Sequence, residues 1–127
     1  MKMKLFYFKN RNELKNFVNT LKEEFLNKDG EFIYFIEENK MLIMYNGEID
    51  GGYDSYIIES LEEVPEILRK INFKTFAVRS KRRRKMEDNR ILGQIIKEKL
   101  GKDVNLDNPD ITIYLENVGK FNVIFIK

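Results

Sequence analysis

Hydrophobic and polar positions in the first half of the chain predict one helix packed on a small sheet. Four apolar runs have the length of strands, at residues 3–8, 32–36, 41–45 and 55–58. Between the first two runs, Asn10 and Glu13 have the spacing of a capping box, and apolar residues then recur at helical spacing through about residue 27. This βαββ order, with one further short strand, is typical of an α+β layer.

The second half of the chain continues the alternation of helices and strands. Ser60 and Glu63 form another capping-box pair before a short apolar stripe, which predicts a short helix. Strands are predicted at 74–80, 111–115 and 121–126. A longer helix should begin at the cap Asp88, end at Gly101 and bury five apolar residues, Ile91, Leu92, Ile95, Ile96 and Leu100. Because this helix links two strands, those strands should lie parallel in a right-handed unit.

Together these patterns predict an α+β fold with two parts. An N-terminal βαββ half, residues 1–59, should pack on a C-terminal αβαββ half, residues 60–127. No Ser-rich or Gly-rich linker separates the halves. A chain of 127 residues is long enough for one compact domain or two very small ones.

The composition narrows the chemistry that this chain can perform. It contains no Cys, which excludes disulfides and thiolate zinc sites, and no His, the commonest general base and metal ligand. The candidate carboxylates lie mostly in predicted turns, where capping and turn formation explain them better than acid–base catalysis. They are Glu37, Glu38, Asp103, Asp107 and Asp110. We therefore expect no catalytic residues, no metal and no cofactor. Without a signal peptide or a long apolar run, we also expect a cytoplasmic protein with no membrane partner.

The charge is distributed unevenly along the chain. Residues 1–70 carry 10 Lys and Arg against 14 Asp and Glu, a net charge of −4, whereas residues 71–127 carry 13 against 7, a net charge of +6. Such asymmetry favours a polyanion as the partner of the basic half.

The densest positive charge follows the strand predicted at 74–80. Six of the seven residues from Arg79 to Lys85 are basic, four of them Arg and two Lys. A solvated loop that keeps the protein soluble is one interpretation. Phosphate binding is the favoured one, because adjacent like charges repel and Arg makes bidentate phosphate contacts. Charge alone does not distinguish RNA from DNA or a membrane. A lipid surface is less favoured, because the sequence contains no basic amphipathic helix.

Two glycine-containing segments have alternative interpretations. Residues 50–55 partly resemble the Ser-Gly-Gly-x-Asp-Ser pyrophosphate loop of ATP-dependent sulfur-transfer enzymes, but Asp50 replaces the first Ser and would repel phosphate. A plain loop is therefore favoured there.

Gly93 interrupts the long helix at a cost of about 1 kcal/mol relative to Ala. Close packing of the helix on its sheet is the first explanation, and close approach of an RNA backbone is the second.

Three motifs in order carry a resemblance to a known family. They are Thr75-Phe76-Ala77-Val78-Arg79-Ser80-Lys81-Arg82, Arg90-Ile91-Leu92-Gly93 and Val104-Asn105-Leu106-Asp107-Asn108-Pro109-Asp110-Ile111-Thr112-Ile113-Tyr114. With their spacing, they resemble the THUMP domain, the RNA-binding module shared by several tRNA-modifying enzymes and by adaptors for tRNA acetylation. The resemblance covers residues 60–126. The preceding half resembles, on pattern only, the ferredoxin-like domain that often precedes a THUMP domain.

The resemblance implies binding to tRNA at the acceptor stem and its 3′ end. Carried over by position, Arg79, Lys81, Arg82, Arg90 and Lys97 would lie on the RNA-facing surface. Arg83, Arg84 and Lys85 extend the first motif and are assigned to the same surface by charge alone. Pro109 and Asp110 match the family motif but are expected to be structural, since Pro109 makes the turn before a strand rigid.

The resulting hypothesis is a non-enzymatic tRNA-binding protein that presents tRNA to a separate modifying enzyme, similar to the tRNA acetylation adaptors. The last predicted strand ends just before Lys127, so we expect a stand-alone THUMP protein or one separated from its enzyme. The alternatives are a basic protein-interaction module and, less favoured, an ATP-dependent tRNA-modifying enzyme. Nothing in the sequence predicts the oligomeric state.

Overall fold

The computed structural model describes residues 1–26, 30–80 and 86–127, which form two compact units. The first unit comprises Met1–Tyr56 and Val118–Lys120, and the second comprises Ile57–Asn117 and Phe121–Lys127. Both contain helices together with consecutive strands, so the predicted α+β class is confirmed.

The first unit is an antiparallel sheet covered by one helix. Its elements are β1 (Lys2–Tyr7), α1 (Arg11–Leu26), β2 (Phe32–Glu37), β3 (Lys40–Tyr45) and β4 (Tyr53–Ile58), whose last two residues belong to the second unit. The sheet has the order β2-β3-β1-β4. Its core joins the helix residues Leu14, Val18 and Leu21 to Phe6 and Met41 of the sheet.

The predicted start of α1 is confirmed by its capping geometry. The Asn10 side-chain oxygen accepts a hydrogen bond from the Glu13 backbone N–H at 2.9 Å, and the Glu13 carboxylate accepts one from the Lys9 N–H at 3.1 Å. These bonds satisfy backbone donors that have no partner within the helix. The predicted end of the helix near residue 27 lies outside the described residues.

The second unit places its helices beside a mixed sheet. Its elements are a 3₁₀ turn (Leu61–Glu63), α2 (Val64–Leu68), β5 (Thr75–Ser80), α3 (Met86–Leu100), β6 (Asp103–Val104), β7 (Ile111–Val118) and β8 (Phe121–Ile126). The sheet has the order β8-β7-β5-β6. Strand β5 runs parallel to β7, as the crossover helix predicted, and also parallel to the short β6. The predicted capping box is confirmed too, because Ser60 and Glu63 both bond backbone N–H groups at the start of the 3₁₀ turn.

The core of the second unit lies between α3 and the sheet. Leu92 and Ile96 of α3 are fully buried, together with Phe76 of β5 and Ile113 of β7. Ile91, predicted to be buried, is 40% exposed, so that part of the predicted stripe is wrong. The helix packs through a narrower stripe and leaves more of its surface uncovered.

The start of α3 and the presence of β6 also differ from the sequence prediction. Helix α3 begins at Met86, so Asp88 lies in its first turn and is not the cap. Strand β6 is too short to be recognised by alternation of apolar and polar residues. It exists because the Asp103 N–H donates to the Lys74 carbonyl and the Asn105 N–H donates to the Phe76 carbonyl, at 3.3 and 2.9 Å.

Candidate functional site

The structure places three of the eight predicted RNA-binding residues. Arg79 is exposed in β5, and Arg90 and Lys97 are exposed on α3. The other five, Lys81, Arg82, Arg83, Arg84 and Lys85, lie outside the described residues. The site can therefore be built from β5 and α3, which lie on either side of that basic segment in the sequence.

A groove of about 410 Å³ runs along one side of α3. Its floor is formed by Phe76 and Val78 of β5, and one wall by Val104 and Leu106 at β6 and just after it. The facing wall is the polar side of α3, formed by Asn89, Arg90, Gly93, Gln94 and Lys97. The polar side of this helix is thus brought together with an apolar floor, and Arg90 and Lys97 are both among the residues that line the groove.

Sequence reasoning missed the wall opposite the helix. Val104 and Leu106 are 49% and 63% exposed, which is unusual for two apolar side chains so close together in the chain. They are separated by one residue in a segment otherwise rich in turn-forming residues. That alternation was the available signal, because it places both side chains on the same side of an extended backbone.

Arg79 of β5 contacts the wall that contains Leu106. Its guanidinium Nη2 donates a hydrogen bond to the Leu106 carbonyl oxygen at 2.8 Å. One guanidinium can make several hydrogen bonds, so Arg79 retains donors for an additional ligand. The contact holds the Leu106 segment beside the end of β5.

Arg90 is paired within its own helix. Its guanidinium donates to the Glu87 carboxylate, one helical turn earlier, and both side chains are exposed. The hydrogen bond and the charge of Arg90 lower the pKa of Glu87, and the same contact raises the pKa of Arg90. A pair so exposed to water and salt is weak. Arg90 can therefore exchange this carboxylate for a phosphate.

Gly93 lies between Arg90 and Lys97 on the groove side of α3. Apart from the adjacent residues and the backbone of α3 itself, a Cβ built at this position would meet no atom of the described structure within 4 Å. The first explanation given for this glycine, close packing of the helix on its sheet, is therefore wrong. Gly93 leaves part of the helix backbone open to the groove.

Asp110 holds the segment that forms the apolar wall. Its carboxylate accepts hydrogen bonds from the backbone N–H groups of Lys74 and Thr75 at 2.8 and 3.1 Å, and its own N–H donates to Thr75 Oγ1 at 3.0 Å. The bonds from Lys74 and then Thr75 lower the pKa of Asp110. Asp110 therefore ties the end of the 105–110 segment to the start of β5, which is the structural role expected from the sequence.

The segment 50–55 has its own structural contacts in the first unit. Strand β4 begins at Tyr53, so only the first three residues form a loop. The Lys4 ammonium group donates to the carbonyl oxygens of Ile49 and Gly51 at 2.9 and 2.7 Å. These contacts fix the loop through its carbonyl oxygens.

The described residues offer neither a metal site nor a membrane-spanning helix. No group of three or more carboxylates in residues 1–26, 30–80 and 86–127 is arranged to hold a metal ion. Within the same ranges, every helix is too short or too polar to cross a membrane.

A comparison with protein families identifies the second unit. The THUMP domain model matches residues 57–127, more than half of the chain. The chain belongs to the THUMP domain family. The match includes every residue that lines the groove, so the groove lies within the THUMP domain, and the resemblance noted in the sequence is confirmed. No curated protein sequence matches the chain significantly.

Solved structures share the fold of the chain at low sequence identity. PH1313 from Pyrococcus horikoshii superimposes with a TM-score of 0.74 at 17% identity, over 100% of this chain and 54% of its own length. A 4-thiouridine synthetase, solved as an RNA complex with bound ATP, gives 0.66 at 19% identity, over 100% of this chain and 41% of its own. TrmN from Thermus thermophilus gives 0.61 at 12% identity, over 98% and 44%. The chain thus spans about half the length of these proteins.

Proposed function

We propose that this chain binds tRNA in the acceptor-stem region through the basic side of its THUMP domain and presents the tRNA to a separate modifying enzyme. The observation that carries the proposal is the family match over the residues that form the groove. One structural neighbour with the same fold is a 4-thiouridine synthetase in complex with RNA.

The spacing of the cations supports a phosphate backbone as the ligand. Arg90 and Lys97 are seven residues apart on α3, which separates them by about 10 Å along the helix axis. Both lie on the same side of the helix and line the groove. Fixed cations along a rigid helix suit a chain of phosphates better than a single small anion.

The chemistry of these residues favours recognition of shape and charge. Double-stranded RNA hides its base edges in a deep, narrow major groove and is bound mainly through phosphates and 2′-hydroxyl groups. Arg79, Arg90 and Lys97 are donors suited to both groups. We include the adjacent basic residues 81–85 in the same surface because they follow Arg79 directly in the sequence.

A binding experiment with charge-matched variants tests the proposal. Fluorescence anisotropy of a labelled tRNA, titrated at several salt concentrations, gives both the affinity and its salt dependence. We expect the triple variant Arg82→Ala/Arg83→Ala/Arg84→Ala to make the slope of log K against log salt less negative by about two units. The matched control Lys9→Ala/Lys15→Ala/Lys22→Ala removes three exposed cations from the first unit and should bind as the wild type does.

The outcomes separate the proposal from its alternatives. A triple arginine variant that binds tRNA as tightly as the wild type contradicts the assignment of the basic segment. A wild-type protein that does not bind tRNA, while binding an acidic protein, favours the interaction module. Tight, Mg²⁺-dependent binding of ATP favours an enzyme.

The role of presenting tRNA to an enzyme needs an experiment in cells. Mass spectrometry of nucleosides from total tRNA should show one modification reduced when the gene is deleted in its source organism. The wild-type gene should restore it, whereas the triple arginine variant should not. Restoration of the nucleoside by the purified protein alone, acting on unmodified tRNA in a test tube, would contradict the separate enzyme.

A further inference from the structure

Gly93 occupies the middle of α3, where the fold gives no reason for a glycine. Glycine is among the least favourable residues in a helix interior. Its φ angle is not in the left-handed region, so the backbone does not require it. Apart from the adjacent residues and the backbone of α3 itself, no atom of the described residues lies within 4 Å of where a Cβ would be, so packing does not require it either. An alanine would satisfy the fold better than the residue that is present.

The neighbours of Gly93 on the helix surface are the two cations of the proposed interface. Arg90 precedes it by three residues and Lys97 follows it by four. Residues at these spacings lie on one face of a helix, one turn to either side. A polyanion that contacts both cations therefore crosses α3 at Gly93.

The groove supplies the space for that crossing. Gly93 forms part of its helical wall, and the facing wall is made by the half-exposed Val104 and the exposed Leu106. Any side chain at residue 93 would point into this space. It would hold a ligand away from the helix backbone and lengthen the contacts to Arg90 and Lys97.

We infer that Gly93 is the position at which the RNA backbone lies directly against α3, between phosphates bound by Arg90 and Lys97. The inference rests on the proposed function, since it requires the groove to hold RNA. It assigns Gly93 a positioning role that acts by the absence of a side chain. Its consequence is that stability and RNA affinity respond in opposite directions to the same substitution.

The test measures both properties in the same variants. Gly93→Ala should raise the melting temperature by about 4 °C, because alanine is the better helix former. The same change should weaken binding to a labelled tRNA by about tenfold, equivalent to 1.4 kcal/mol. Gly93→Leu, which also favours the helix but fills more of the groove, should weaken binding further. The control Asn19→Ala, at an exposed position of α1, should raise the melting temperature and leave the affinity unchanged.

Each outcome supports or overturns the inference. A Gly93→Ala protein that is more stable but binds tRNA as tightly as the wild type overturns it. A Gly93→Ala protein with a lower melting temperature also overturns it, because that result means the glycine serves packing. If the triple arginine variant loses binding while both Gly93 variants retain it, the proposed function stands and only this inference fails. A wild-type protein that does not bind tRNA overturns both the proposed function and this inference.

Discussion

Several glycines of the first unit lie against aromatic rings, whereas Gly93 in the second unit faces the groove. A Cβ at Gly30 would come within 2.6 Å of the Phe25 ring, and one at Gly52 within 2.7 Å of the Phe6 ring. A Cβ at Gly93 would have no described atom within 4 Å outside the adjacent residues and the backbone of α3. The first unit thus uses these glycines to bring its backbone close to its own core. The second unit has a glycine whose space is left for something outside the fold.

The cations of the two units differ in a similar way. In the first unit, Lys4 and Arg11 donate to backbone carbonyl oxygens that lie far away in the sequence, and these bonds hold loops in place. In the described part of the THUMP domain, Arg90 is paired with an exposed carboxylate on its own helix. Such a pair contributes little to the fold. The difference indicates that Lys4 and Arg11 serve the fold and that Arg90 is available to a ligand.

The largest expected effect is a loss of stability on substituting a glycine of the first unit. Gly52→Ala should lower the free energy of unfolding by about 2–3 kcal/mol, because its φ of +65° strains an alanine and the new Cβ displaces Phe6. Gly101→Ala is the matched control, since its φ is +66° but no described atom lies within 4 Å. It should cost only about 1–2 kcal/mol. Urea unfolding measures both, and equal losses would show that the contact with Phe6 is unimportant.

The next effect compares two arginines in similar ion pairs. Arg90 and Arg69 each pair with a glutamate three residues earlier, and both are exposed. Only Arg90 lines the groove. Arg90→Ala should weaken tRNA binding by about 1 kcal/mol and reduce the salt slope by about one unit or less. Arg69→Ala should change neither quantity in the same anisotropy titration. Equal losses in the two variants would mean that binding follows net charge and not the groove.

The smallest expected effect is on the pH dependence of stability, through Asp110, which holds the apolar wall of the groove. The pKa of Asp110 is lowered in the folded protein, so its contribution to stability is present above its ordinary pKa near 4 and is lost as the pH falls through the lower folded value. Asp110→Asn removes this charge. Its melting temperature should therefore fall less between pH 6 and pH 3 than that of the wild type.

A control from the same segment isolates the hydrogen bonds of Asp110. Asp107→Asn removes a neighbouring exposed carboxylate and should leave the pH dependence close to that of the wild type. If Asp110→Asn and the wild type lose the same number of degrees between the two pH values, the backbone bonds to Asp110 contribute nothing to the pH dependence.

The sequence predicted the elements of this fold well because their signals are local. Capping boxes at Asn10 and Ser60 and the apolar periods of α1 and α3 involve residues within one or two helical turns. The parallel pairing of β5 with β7 followed from the helix between them. The errors arose where one element depends on another. Strand β6 exists only through its bonds to β5, and the exposure of Ile91 depends on the sheet surface available to α3.

For the candidate site too, some features were predictable from the sequence and others depended on the tertiary structure. The order and spacing of three motifs were enough to predict the family, and the positions of Arg79, Arg90 and Lys97 in or after those motifs were enough to nominate them. Only the tertiary structure decided that α3, β5 and the segment around Leu106 enclose a groove, because those parts are distant in the chain. It also excluded close packing on the sheet as the explanation of Gly93. Packing around a residue depends on non-local neighbours, and a sequence pattern does not show whether the space beside a glycine is filled or empty.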